Sequence, residues 1–261
     1  MNIHAIEEIN EAPAQRPPVL AIRFGRGRTG GTTFLDFLIQ RARRADRAVG
    51  IADGDTHNAT LSRFYPPGQP GGAIQPRGTE VGDVTEWVTE VTSQMAAEQM
   101  SMVLDMGGGD KVLEEHAKDM NLRDFCEAAG VQPLAIYSIG PTMEDFDHAM
   151  NIYEKGYCRS DRSLLVLNES LVLGGKSAGG AFDFVFMDPR YQMIAERTQS
   201  VIMPKLACML AMRNEGLTFY EAAEGKRGKS DRPMSLGHQF MIKTWINRME
   251  ENLSQVEDWL P

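Results

Sequence analysis

Cysteine is scarce. Cys126, Cys158 and Cys208 are scattered through 261 residues, and no CxxC or mixed Cys/His spacing joins them. That excludes a disulfide scaffold and a zinc module, and it fits a reducing cytoplasm. Positive charge is in deficit: 27 Lys and Arg face 36 Asp and Glu, a net charge of −9. Such a balance excludes a general nucleic-acid coat, which needs phosphate-neutralising cations. Direct DNA contact is left to small basic patches. RARRADR, residues 41–47, reads first as a favourable basic end to a helix, and GKRGKSDR as a solvated loop. Long apolar runs are missing too. None approaches the ~20 residues of a membrane span, and the opening MNIHAIEEINEAPAQRPP lacks the hydrophobic stretch of a signal peptide. Residues 1–17 read as a flexible leader, and residues 18–261 as a single domain with C-terminal helices.

Hydrophobic content of 42% is enough for a core that folds without metals or disulfides. It is arranged in short apolar runs that alternate with helix-like segments. The runs Val19–Gly25, Ala48–Asp53, Ser101–Met106, Leu134–Ile139, Leu164–Asn168 and Phe182–Met187 are mostly continuous, as in parallel strands buried on both faces. Helices are expected over 33–46, 80–99, 111–129, 142–155, 190–213, 217–224 and 236–257. Thr142 with Asp145 has capping-box-like spacing. This alternation predicts an α/β fold, a doubly wound and mostly parallel sheet with a helical C-terminal portion. Residues 65–79, YPPGQPGGAIQPRGT, read as a long loop. The last helix carries an apolar stripe of Phe240, Met241, Trp245, Met249 and Leu253, expected to pack in the core.

One further absence lies inside a motif. LAIRFGRGRTGGTTFLDFL, residues 20–38, runs from a strand through a glycine-rich turn into a helix. A P-loop reads GxxxxGK[ST]. Gly25, Gly30, Thr32 and Thr33 fall in place, but Gly31 stands where the lysine belongs. Glycines let backbone N–H groups face phosphate oxygens, and the helix N-terminus favours the anion. Thr32 sits where a hydroxyl binds Mg²⁺. The same letters also satisfy GxGxxG through Gly25, Gly27 and Gly30, with Asp53 at the end of the next strand, so a dinucleotide site stays open. GGKS within residues 172–180 mimics a P-loop, but no helical pattern follows it.

Two later segments favour the phosphate reading. IADGDTHNATLSRFY carries Asp53 and Asp55, a pair suited to a magnesium shell and a positioned water. SMVLDMGGGD ends an apolar run on Asp105, a Walker-B-like carboxylate that can reach magnesium through water. In a parallel sheet these strand ends share the edge where ligands bind.

GRGRTGGTT resembles the cradle of the ParA/MinD family of deviant Walker ATPases, in which it reads like GKGGxGKTT. The match runs Gly25, Arg26, Gly27, Arg28, Thr29, Gly30, Gly31, Thr32, Thr33. DGDTHNATLSRFY is similar to motifs of the plasmid-borne TraL- and StbB-type branch, linked to conjugative transfer and plasmid stability. The resemblance covers about residues 18–190. It implies a SIMIBI-like P-loop NTPase fold, ATP and Mg²⁺ as cofactors, a homodimer, and a protein partner in plasmid transfer or partition. It places Arg26 at the signature lysine, which reaches the nucleotide of a partner copy, and Asn168 at an adenine-contacting position.

Residue by residue, Gly25, Gly27, Arg28, Thr29, Gly30, Gly31, Thr32, Thr33 and Asn168 are expected to hold nucleotide. Thr32, Asp53 and Asp105 are expected to hold the metal. Arg26 and Asp55 are expected to act in hydrolysis, Arg26 by neutralising charge and Asp55 by positioning water. Losing the lysine removes on the order of 2–4 kcal/mol of transition-state stabilisation if nothing replaces it. Arg26 and Arg28 are the expected replacements, since arginine stays charged and grips phosphate at two points. Three functions stay open: a slow ATP-driven switch, a non-catalytic P-loop interaction module, and a nicotinamide oxidoreductase.

Overall fold

The computed structural model describes residues 16–108, 110–156, 160–174 and 178–261. Most of the expected leader, Cys158 and most of the GGKS segment lie outside the described residues. Six parallel strands form one sheet: β1 (Val19–Phe24), β2 (Val49–Asp53), β3 (Ser101–Asp105), β4 (Gln132–Ile139), β5 (Ser163–Asn168) and β6 (Thr198–Met203). Their spatial order is β2-β3-β1-β4-β5-β6. β1 is therefore flanked by β3 and β4, with register pairs Arg23↔Asp105 and Arg23↔Ile136. The β1-to-β2 connection runs to one side of β1 and the β3-to-β4 connection crosses to the other, which opens a crevice at the carboxyl ends of β1, β3 and β4.

Strands β1 and β5 are buried along their whole length, as VLAIRF and SLLVLN predict. Two cores result, one on each face of the sheet. On one face pack α1 (Gly31–Arg44), α9 (Met209–Asn214), α10 (Phe219–Ala223) and α11 (Leu236–Leu253). Here Phe37, Phe219 and Trp245 meet, with Phe219 and Trp245 stacked 4.6 Å apart. The Trp245 indole N–H donates to Pro204 O at 2.7 Å, so the ring enters the core with its polar atom satisfied. On the other face pack α3 (Val81–Glu98), α4 (Asp110–Asp119), α5 (Leu122–Ala129) and α6 (Met143–Lys155). Between β2 and α3 lies a single turn of helix, α2 (Thr60–Phe64), which the sequence pattern did not reveal.

Three expectations need correction. Phe182–Met187 is not a strand. It forms α7 (Asp183–Met187), followed by α8 (Pro189–Ile194). Its aromatics favour strands, but only Phe182 and Val185 are buried, a three-residue spacing that suits a helix. The sixth strand is instead Thr198–Met203, inside the segment expected to be helical over 190–213. Pro204 follows this stretch directly and its β-branched residues suit a strand; it pairs only with β5, at the sheet edge. The helix expected over 111–129 is two helices. Asn121 divides them by accepting the Arg123 and Asp124 N–H groups, an N-cap for α5.

The 65–79 segment is a loop, though Ile74 bridges to Ala52 and extends the β2 edge. In α11, Trp245, Met249 and Leu253 are buried, while Phe240 and Met241 face solvent. Among the described residues no helix is long and apolar enough to cross a membrane.

Candidate phosphate cradle

The turn between β1 and α1 has the backbone of a phosphate cradle. Gly25, Arg28 and Gly30 all take positive φ, at 126°, 71° and 87°. Gly30 is the N-cap of α1 and no side chain caps the helix, so its positive end faces the turn unopposed. Asn168, at the end of β5, braces the turn from behind. Its amide donates to Thr29 O at 2.8 Å, and its Oδ1 accepts from Ser170 N and Oγ. A Cβ on Gly30 would overlap that amide, so glycine is required for space as well as conformation. Asn168, expected to contact a base, thus has its side-chain oxygen and nitrogen engaged in holding the cradle.

The aspartates gather beside it. Thr32 Oγ1 donates to Asp105 Oδ2 at 2.6 Å, and Gly107 N donates to Asp105 Oδ1 at 3.0 Å. Gly107 has φ 57°, and a Cβ there would collide with the Asp55 carboxylate. Asp55 therefore lies directly against the turn after β3. Its Oδ1 accepts from His57 N and Asn58 N, the turn-capping role that short acidic side chains often fill. Asp53 is buried and turned toward α2, where Oδ2 accepts from both Ser62 N and Ser62 Oγ at 2.8 Å. Its other oxygen is buried and has no hydrogen-bond partner among the described residues. Burial pushes the Asp53 carboxyl above the usual carboxylate range, against the two Ser62 bonds.

The arginines are arranged differently from expectation. Arg26 points outward and meets Asp145 at the start of α6, 3.4 Å away. Arg28 and Gly27 are exposed on the rim. The cation at the centre is Arg23, from β1, with 3% exposure. Its Nη1 donates to Gly107 O at 2.7 Å and stands 3.7 Å from Asp105 Oδ1. Its Nη2 donates to Arg26 O at 2.8 Å and to Thr29 Oγ1 at 3.0 Å. Thr29 in turn shares a hydrogen bond with Ser138 Oγ at the end of β4. Arg23 Nε is buried without a hydrogen-bond partner among the described residues. A side chain on Gly31 would overlap Arg23 Nε, so the arginine runs through the space beside Gly31.

The structure therefore brings together Gly25–Thr33, Asp55, Asp105 and Asn168, and adds Arg23, which lies outside the glycine motif. A signal was present: a lone charge inside the apolar run LAIRF, in a strand expected to be buried. Such a charge is costly unless it is paired and hydrogen-bonded.

The groups suit a magnesium–nucleotide pair. Among the described residues no three Asp, Glu, His or Cys side chains form a ready metal cage. A hydroxyl with two carboxylates is a partial oxygen shell, of the kind Mg²⁺ completes with phosphate oxygens and water. Next to the cradle, beside Asp145 and the ends of β4 and β5, lies a cavity of about 860 Å³. Its walls include Pro141, Thr142, Leu171, Leu173 and Phe184.

No family model matches the chain, and no curated protein sequence matches it. Solved structures with a similar chain path include chloroplast FtsY from Physcomitrella patens, at 14% identity and TM-score 0.46. The match covers 90% of this chain but 65% of that one, under two thirds of its length. FtsY from Thermotoga maritima matches at 16% identity and TM-score 0.48, covering 88% of this chain and 69% of that one. The MinC:MinD cell division complex of Aquifex aeolicus matches at 10% identity and TM-score 0.48, covering 88% and 96%.

Proposed function

We propose that this chain is a nucleotide-binding switch protein of the ParA/MinD kind, taking ATP with Mg²⁺ and acting in plasmid transfer, partition or positioning. The observation that supports it most is the Thr32–Asp105 hydrogen bond at the open N-terminus of α1. It joins a phosphate cradle and a Walker-B-like carboxylate at one point, as phosphoryl chemistry requires. Thr32 and Asp105 would hold the metal, with the unpartnered Asp53 oxygen close behind. When bound, the metal neutralises charge on the phosphate oxygens. The backbone N–H groups of the cradle bind and orient the phosphates. The cavity beside Asp145 has room for the nucleoside. Asp55 would orient the attacking water once its turn releases the Oδ1 atom. Arg26 stands on the outer rim, where a second nucleotide-bound copy would meet it. That arrangement fits a homodimer that recruits a protein partner.

A non-catalytic module is the second reading. It is favoured by Asp55, whose Oδ1 atom caps its own turn. The oxidoreductase reading has less support, since Asp53 is 1% exposed and one of its oxygens is bonded to Ser62. Titration with ATP, GTP and NADH, with and without Mg²⁺, tests the proposal. ATP or GTP binding that strengthens with Mg²⁺ is expected, and preference for NADH would overturn it. Turnover measured on the same protein then separates the switch from the module.

A further inference from the structure

Lys is missing from the cradle, but a buried cation is not. Gly31 and Arg23 fit as one unit: the first has no side chain, and the second passes through the space a side chain would fill. The strand position matters. Arg23 lies between Ile22 and Phe24, whose side chains enter the opposite core, so Arg23 faces the α1 side of the sheet. From there its guanidinium spans the cradle and the turn after β3, bonding Arg26 O on one and Gly107 O on the other. Those two segments are the ones that would close on the terminal phosphates. Surface arginines cannot hold this place. Arg26 is half exposed and engaged with Asp145, and Arg28 is exposed.

We infer that Arg23 supplies the phosphate-binding charge that the cradle's lysine normally carries, and that Gly31 is the space kept free for it. The inference rests on the nucleotide reading given above. Three hydrogen bonds use three of the five guanidinium N–H groups, one on Nη1 and two on Nη2. Nε–H and the second Nη1 hydrogen remain. Asp105 Oδ1 lies 3.7 Å from Nη1, too long for a hydrogen bond, so that carboxylate leaves the second hydrogen available. A guanidinium with fixed backbone partners and unused donors is pre-positioned for an anion. Its delocalised charge also tolerates burial better than an ammonium.

The test moves the charge from one residue to the other. Nucleotide affinity is measured with fluorescent ATP and Mg²⁺ on wild type, Arg23→Val, Gly31→Lys and the double variant, with thermal melts of each. Valine suits a central strand, so the double variant is a cradle with its lysine back and its arginine gone. Arg23→Val is expected to bind at least about tenfold more weakly, the loss of one charge-assisted contact. The double variant is expected to recover to within about threefold of wild type, a residual below the worth of one such contact. A structural role for Arg23 alone would not be rescued by a lysine at 31. Where Arg23→Val does not fold, the double variant decides, since binding by it supports the assignment and a folded double variant that fails to bind overturns it. Arg23→Val binding as well as wild type overturns the assignment and leaves the nucleotide reading standing. Tighter binding by Arg23→Val also overturns it, because the guanidinium would then be a plug. Wild type that binds neither ATP nor GTP overturns both readings together.

Discussion

Arg23 and Arg213 are both beside buried carboxylates, and both pairs lie against α1, yet their surroundings differ. Arg213, on α9, meets Asp36 at 2.5 Å. The other Asp36 oxygen accepts from Tyr65 at 2.6 Å and from Gln40 at 2.9 Å. The guanidinium is sandwiched by Phe64 at 4.1 Å and Phe219 at 4.8 Å. Burial and the adjacent carboxylate push the Tyr65 phenol far up, so it stays a neutral donor. This is a closed pair, tying α1 to α2, α9 and α10. The Arg23–Asp105 pair is open. Its nearest charged atoms are 3.7 Å apart, against 2.5 Å in the closed pair, and Asp105 takes a hydroxyl hydrogen from Thr32. Closed pairs hold a fold, whereas an open pair can exchange its contacts for a ligand.

The two pairs are expected to respond oppositely to mutation. Arg213→Met leaves Asp36 buried without its cation and is expected to lower stability by about 3–5 kcal/mol in urea unfolding. Nucleotide affinity below the melting transition should be unchanged; a loss there would show that the closed pair also serves the site. Gly30→Ala puts a Cβ at φ 87° onto the Asn168 amide and is expected to lower stability by about 1–3 kcal/mol. Its melt and its ATP affinity should fall together, because Asn168 positions the cradle.

Thr32→Ala sharpens the open side of the comparison. Stability is expected to move by under about 1 kcal/mol, the worth of one hydrogen bond. Mg²⁺-dependent nucleotide binding should weaken about tenfold, as for other losses around a metal. Equal affinity with and without Mg²⁺ in both proteins would remove Thr32 from the metal site. Arg26→Ala breaks an exposed ion pair and should change stability by less than about 1 kcal/mol. A single chain should bind nucleotide as before, while any turnover that rises with protein concentration should fall.

The smallest effect lies away from the cradle. His116 is buried against Thr89, and burial lowers its pKa, opposed by Asp119. The folded chain therefore prefers the neutral ring. The stability from that preference is complete above the unfolded value of about 6.5 and is lost as pH falls through the lower folded value. His116→Gln should flatten the acid side of the stability curve by at most about one proton's slope. An unchanged slope would place the titration elsewhere.

Much of this layout was legible in advance. The first five strands appear close to where continuous apolar runs put them, and the cradle glycines, Thr32, Asp55 and Asp105 meet at one edge. The edge strand Thr198–Met203 escaped because a strand paired on one side only carries a weaker apolar signal than a central one. Arg23 escaped because a replacement charge is expected within the turn itself. The side chain that fills the gap comes from the strand before it.

The parallel α/β order, the glycine turn and the acidic strand ends are each written in residues close together along the chain. Packing set which cation fills the space beside Gly31, what Asn168 braces, and which aspartate has a buried oxygen without a hydrogen-bond partner among the described residues. Those depend on where long side chains go once strands and helices are packed. Local periodicity reports which face of an element is buried, not which neighbour's side chain fills the gap left there.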